Sequence, residues 1–456
     1  MIHIPELFIL ISVNLTDKEL LNLILCNKLI FYYKILIKLN DKYNYSMVKS
    51  CWWFDLITNI QIDNTIKKKD LIPQTLTKIT FSDDFNKQIF IPPNVKKLKF
   101  GSSYNQSLVR IIHTNFIAKE KYHIRGSILN QNLSHLTFGD YFNKSLFFNQ
   151  NNVMCSLLPP NLFYLKLGHK YNQPILFLPP NLQTLILGYE FDQSLPLLPN
   201  TLKRLEFGNT FNQYINFIPN NVQYLKFGKN FNQEINNFQL SSNITHLIFG
   251  QFFNRYIANI PSNIAHLEFG SMFNMYIKTI PDTLTHLKFG QNFNQEINSA
   301  ISINNNIKCL TFGYYFNKYI NCEILSNLID LEFGDNFNQK IFLPKNIKYL
   351  KFGNGFNQQI ILPNSITHLY FGENFNQEII VPNKVKYLVL GDNFTQQITI
   401  PNSVEHLVLG LNYNKSIIIP ESITHLKLGN MFNQSIIIPN NVKYLMFGWE
   451  HVRMGI

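Results

Sequence analysis

Residues 353–371 read GNGFNQQIILPNSITHLYF, and residues 372–390 read GENFNQEIIVPNKVKYLVL. The second string repeats the glycine, the Phe-Asn-Gln run, the Pro and the Leu of the first after 19 residues. Outward from this pair, the marker glycine recurs at Gly101, Gly139, Gly168, Gly188, Gly208, Gly228, Gly250, Gly270, Gly290, Gly313, Gly334, Gly353, Gly372, Gly391, Gly410, Gly429 and Gly448, which is 17 of the 20 glycines. From Gly334 onward the interval is 19 six times in succession, and between Gly168 and Gly334 it runs from 20 to 23. The 38 residues from Gly101 to Gly139 equal two units, so a degenerate coil or a longer loop is expected near 111–127. A coil without the glycine is legible at 76–89, which starts the array at about residue 73. A sustained period of this size marks a stacked repeat array, which decides the fold of most of the chain.

The columns of the repeat assign a task to each position. Leu stands three residues before every marker glycine, Phe or Leu one before it, and Val, Ile or Leu six before it. Leu-x-Phe has period two, so it predicts a short strand with one buried face. The glycine ends the strand, where a positive φ or a close backbone approach would require it. Phe or Tyr follows three residues later, then Asn, and Ile or Leu at the seventh position; Asp192 and Thr395 replace that Asn. Pro363, Pro382, Pro401, Pro420 and Pro439 are expected to open the return segment, where no ladder N–H is needed. A unit this short cannot bury its own apolar residues and must stack on its neighbours. The predicted fold is a mostly β solenoid with one long parallel sheet, and the recurrent Asn is expected to form an internal ladder that bonds the backbone of adjacent turns.

The pattern L-x-x-L-x-F-G-x-x-F-N-Q-x-I-x-x-x-P resembles the FNIP repeat, a short relative of the leucine-rich repeat. The resemblance implies a leucine-rich-repeat-like solenoid over residues 73–456, with turns and extended chain on the return side because the unit has no room for a helix. It also implies an origin in an amoeba or in a large DNA virus of amoebae.

Two positions per strand face outward, four and two residues before the glycine. The first reads His135, Tyr164, Tyr224, His246, His266, His286, Tyr349, His368, Tyr387, His406, His425 and Tyr444, so seven of the 12 histidines share one file. Such a strip offers apolar area with a hydrogen-bonding tip and is read as a face for a target protein, with His246, His266, His286, Tyr349, His368, Tyr387, His406 and His425 as its contacts. The competing reading is a packing ladder that serves the sheet alone. A metal site would need a closed ligand shell, and no carboxylate or Cys accompanies these histidines. The second file mixes Lys99, Lys166, Glu206, Lys226, Glu268, Lys288, Glu332, Lys351 and Lys427, and mixed signs do not make a phosphate track.

Composition agrees with this reading. The 456 residues carry 40 Phe and 22 Tyr, ample for a core, while charged residues make up only 15%. The excess of Asn, Ile, Lys, Tyr and Phe is that of an AT-rich coding sequence, so the net charge of +12 argues weakly for a nucleic-acid partner. Five dispersed cysteines without C-x-x-C, no signal peptide and no run of about 20 apolar residues point to a reducing compartment, cytoplasmic or nuclear, with no membrane partner.

Residues 1–50 lack the repeat and are expected to be helical. Thr16-Asp17-Lys18-Glu19 is a helix start, followed by Leu20, Leu21, Leu23, Ile24 and Leu25. The string Ile4-Pro5-Glu6-Leu7, Ile11, Leu15, Asp17, Leu20, Leu23 and Cys26-Asn27-Lys28 resembles an F-box. By that resemblance, Pro5, Leu7, Ile11, Leu15, Leu20 and Leu23 would dock the adaptor subunit of a cullin-type ubiquitin ligase. Residues 51–72 are read as a linker or cap, with Cys51-Trp52-Trp53-Phe54 packing the junction. No enzyme motif and no cofactor site is legible, so the expected role is a non-enzymatic substrate-recognition subunit. The alternative is a binding scaffold whose N-terminal helices only cap the solenoid.

Overall fold

The structure, a computed structural model, describes residues 12, 15–26, 38–67, 70–117, 120–235, 240–297, 305–322, 325–448 and 450–452. The chain divides into two compact units, Met1–Val222 and Gln223–Ile456. Each is a parallel β-solenoid.

In the first unit the strands Tyr43–Asn44, Asn59–Ile62, Lys78–Phe81, Lys97–Lys99, His135–Thr137, Tyr164–Lys166, Thr184–Ile186 and Arg204–Glu206 pair in that order, all parallel. The second unit continues the pattern from Tyr224–Lys226 to Tyr444–Phe447. Leu pairs with Leu from Leu98 with Leu136 onward, as in Leu247 with Leu267 and Leu350 with Leu369, and Ile60 and Ile79 hold that place in the earlier strands. This register follows from the repeat, because a one-residue slip would turn every Leu and Phe to solvent.

The core is two files of stacked rings beside a file of Leu. Phe269 and Phe273 of one coil lie 3.9 Å apart, and each stacks on its counterpart in the next coil, Phe289 at 5.7 Å and Phe293 at 6.1 Å. Each such side chain stabilises the fold by about 1.5–3 kcal/mol when fully buried. The marker glycine permits this spacing. A Cβ built on Gly270 would lie 1.9 Å from the carbonyl oxygen of Gly250, and the same collision recurs along both units. Close approach is therefore the requirement; among the described glycines only Gly448 has a positive φ, 63°. There the chain turns back into the antiparallel strand Glu450–Val452, which covers the last parallel strand.

Three expectations are corrected. The segment near 111–127 is the longer loop of the two alternatives and not a degenerate coil. It is an antiparallel hairpin, Val109–Ile117 with Glu120–Ser127, inserted into one coil, and Lys97–Lys99 pairs directly with His135–Thr137. A second hairpin, Phe147–Gln150 with Val153–Ser156, lengthens the next coil and turns through Asn151 and Asn152, both at positive φ. The parallel ladder begins well before residue 73: Asn59–Ile62 already pairs with Lys78–Phe81, so much of 51–72 is coil rather than linker. Pro363 closes the return stretch rather than opening it, because its carbonyl accepts from the Ile366 N–H at 3.3 Å in the turn that enters the strand.

At the N-terminal end the helix Asp17–Cys26 forms with the expected capping box. The Thr16 N–H donates to Glu19 Oε2 at 2.8 Å and the Glu19 N–H to Thr16 Oγ1 at 3.4 Å; the Thr16 hydroxyl, which donates to Glu19 Oε2 at 2.7 Å, and then the Thr16 N–H hold the Glu19 carboxyl below its usual range. Leu20 and Ile24 are buried against Leu39 and Leu56, with Leu15, Leu21, Leu23, Tyr43 and Trp53 half-buried around them. Trp52, by contrast, is exposed. Among the described residues no helix is long and apolar enough to cross a membrane.

Candidate interaction surface

The strand Leu-x-Phe positions its outward side chains by alternation, and register stacks them into files. His246, His266 and His286 pair in register, and their rings stack at 5.6 Å per step. Further along the second unit His368, Tyr387, His406, His425 and Tyr444 stack more tightly, at 4.5, 4.3, 4.0 and 4.4 Å. Tyr349 sits one coil earlier, tilted, 6.1 Å from His368. Cys309 and Asp330 separate the two runs. The Cys309 thiol donates to Asp330 Oδ2 at 3.3 Å, and burial together with this bond pushes it up to about 12. In the first unit His135 stacks on Tyr164 at 5.8 Å. The predicted contacts are thus brought together as two strips in the second unit, half-buried to exposed.

The strip is oriented as well as stacked. Thr245, Thr285, Thr367 and Thr424 place a hydroxyl 2.8 to 3.0 Å from Nδ1 of the histidine that follows, which pins each ring. Burial, then the neighbouring His246 and His286, hold His266 below the usual imidazole range; burial and His406 do the same for His425. In the neighbouring outward file Lys and Glu are mixed, with Lys288 bonded to Glu268 at 2.7 Å and Lys351 paired with Glu332. It offers no continuous positive track.

The Asn file lies elsewhere than expected. Asn Oδ1 accepts from the backbone N–H of the equivalent residue in the next coil, as in Asn357 to Asn338 and Asn376 to Asn357, both at 2.9 Å. The same oxygen accepts from the next coil's Gln, Gln358 Nε2 at 3.1 Å and Gln377 Nε2 at 3.0 Å. These side chains are half-buried to exposed, so the ladder runs along the flank and not through the interior. Its role is structural, and it accounts for Phe-Asn-Gln as a unit.

Of the expected adaptor contacts, Pro5, Leu7 and Ile11 lie outside the described residues. Leu15, Leu20 and Leu23 all belong to the cap cluster, Leu20 fully buried. Among the described residues no group of His, Cys, Asp and Glu could hold a metal ion. Two exposed files escaped the strand-face reading. Tyr214, Tyr256, Tyr276 and Tyr319 recur six residues after the glycine, and Ile361, Ile380, Ile418 and Ile437 eight after it. The signal for both was in the same columns.

The FNIP repeat family profile matches overlapping stretches that together cover residues 148–315 and 321–450. Among solved structures the chain is similar to CroV588, a circular leucine-rich-repeat protein, with 36% identity and a TM-score of 0.72 over 86% of this chain and 59% of that one. This chain therefore spans about 59% of the length of that relative. A looser likeness, 14% identity and TM-score 0.45 over 85% of this chain and 90% of that one, is to YopM from Yersinia enterocolitica WA-314. No curated protein matches.

Proposed function

This chain belongs to the FNIP repeat family, and we propose that it works by binding, with the outward His and Tyr strips as its contact for a target protein. One observation carries the reading. Rings on five successive coils, His368 to Tyr444, stand stacked and partly exposed on a rigid sheet. Such a surface loses little side-chain freedom on contact, and aromatic residues are the type enriched at interface centres. The test compares partners captured by the intact chain with those captured by H246S/H266S/H286S and by H368S/H406S/H425S. Loss of the same partner from either variant, with the circular dichroism spectrum retained, is the expected outcome. Identical partner sets from all three chains would refute the strip as the contact.

We further propose that the target is presented to a cullin-type ubiquitin ligase, the N-terminal segment docking its adaptor through Pro5, Leu7, Ile11, Leu15 and Leu23, in the cytoplasm or nucleus of the cell in which the protein acts. The F-box-like string supports this reading, together with a helix at Asp17–Cys26 where the string places one. Burial of Leu20 supports the other role, a cap on the first coils. A binding assay with the purified adaptor subunit separates them. Retention lost on P5A/L7A supports docking. No retention by the intact, folded chain leaves a binding scaffold with a helical cap.

A further inference from the structure

Residues 76–167 hold eleven Lys and Arg against four Asp and Glu, a net +7 of the chain's +12. Part of this excess is concentrated on the outward face of the sheet in the first unit. Lys78 stands on one strand, Lys97 and Lys99 on the next, and Lys166 two strands further on, all exposed. Lys96, also exposed, borders the face where the strand begins.

Register shows what surrounds each of these lysines. Lys78 lies between Asn59 and Lys97, Lys97 between Lys78 and His135, Lys99 between Thr80 and Thr137, and Lys166 between Thr137 and Ile186. None of these neighbours is an acid. Among the described residues no carboxylate is paired with any of the five lysines. The acids of the same coils are bonded elsewhere: Asp83 and Asp140 accept from Ser102, Asp84 accepts from Ser82 and Asn64, and Glu120 lies on the inserted hairpin. In the second unit, by contrast, Lys288 and Lys351 each meet a Glu of the preceding coil. Like charges directly opposite on neighbouring strands cost stability, as Lys78 and Lys97 do here. The repeat does not ask for them, since Thr184 fills the same column. Burial, then Lys97, hold the His135 imidazole below its usual range, so the ammonium groups alone make the face positive.

The extent of the patch identifies what it fits. Asn59 and Gln61 bound it on one side and Thr184 and Ile186 on the other. The strands from Lys78 to Lys166 span about 14 Å, too short a track for the many phosphates through which nucleic acids gain their affinity. Lys97 and Lys99 stand about 6.6 Å apart on one face, which is the separation of alternate side chains in an extended peptide. We propose that this patch docks a short acidic segment of a partner protein, its alternate carboxylates set against Lys97 and Lys99 with Lys78, Lys96 and Lys166 around them. It is separate from the ring strips of the second unit and holds whether or not they contact a target.

Fluorescence anisotropy on the full-length chain in low-salt buffer tests the docking, with a short labelled peptide of alternating Glu and Thr as the probe. Saturable binding is expected, weakened at least about tenfold by K97E/K99E. K340E/K345E lowers the net charge equally on exposed residues of the second unit and leaves the affinity unchanged. Both variants retain the circular dichroism spectrum, because the substituted side chains stand in solvent. No binding by the native chain overturns the proposal, and so does an equal loss from both variants, which would make net charge the whole effect. A thymidine oligonucleotide of the same charge that binds as tightly, and is lost on K97E/K99E, also overturns it and assigns the patch to nucleic acid.

Discussion

Asn338 illustrates how much one side chain of the repeat holds. Its Oδ1 accepts from the Asn357 N–H at 2.9 Å and from Gln358 Nε2 at 3.1 Å, so Asn338→Ala removes an acceptor from two donors of the next coil. A loss of about 1–3 kcal/mol in urea unfolding is expected. Asn338→Asp should lie near the native value, because Asp192 fills this column naturally and accepts from Asn212 and Gln213 in the same way. Tyr413 makes the opposite case. Its hydroxyl is buried without a hydrogen-bond partner, and burial pushes it up to about 12. Tyr413→Phe should therefore raise stability by about 1 kcal/mol, read as a higher thermal midpoint. At Gly270, alanine would drive a methyl into the Gly250 carbonyl, and a cost at or above the usual 1–3 kcal/mol of overpacking is expected in the same assay.

At the scale of the strand, adjacent imidazoles make the outward face sensitive to acid. His266 is held below the usual imidazole range by burial, by His246 and His286 on either side and by Lys288, with only Glu268 acting in the opposite sense. His425 is lowered by burial, His406 and Lys443. A depressed folded-state value means that the unfolded chain binds the proton first. The stabilisation is then complete above the unfolded value of about 6.5 and is lost as pH falls through the lower folded values. A lower thermal midpoint at about pH 5.5 than at about pH 7.5 is expected, with the difference reduced in His266→Gln. Equal midpoints in the native chain would refute the coupling.

At the scale of the whole molecule, a solenoid is stabilised by contacts between neighbouring coils, so damage at an end should stay near that end. Leu20 and Ile24 cover the first coils through Leu39 and Leu56. Leu20→Ala should cost about 2–5 kcal/mol locally. Hydrogen exchange reads it as faster exchange at Asn59–Ile62 and unchanged protection at His368–Tyr370. A uniform acceleration over both strands would instead indicate one cooperative unit.

The repeat made the fold legible before any coordinates, because every coil states the same pattern and chance cannot write Leu-x-Phe-Gly so many times. The inward Leu and Phe, the outward His and Tyr, and an Asn ladder all follow from period two within the strand and stacking between coils. Other features depended on which atoms meet in space. The column alone left the glycine open between positive φ and close approach, until the Gly250 carbonyl proved to occupy the space a Cβ would need at Gly270. Arithmetic left the interval from Gly101 to Gly139 open between a degenerate coil and a longer loop, and strand pairing makes it one coil with an inserted hairpin. The string alone read Leu20 as a docking residue, and only the structure shows it packed against Leu39 and Leu56. The sequence thus determined the coil and its repetition, which are local and periodic. The tertiary structure decided where the array begins, what interrupts it and which apolar residues remain in solvent, because those depend on contacts between residues distant in the chain.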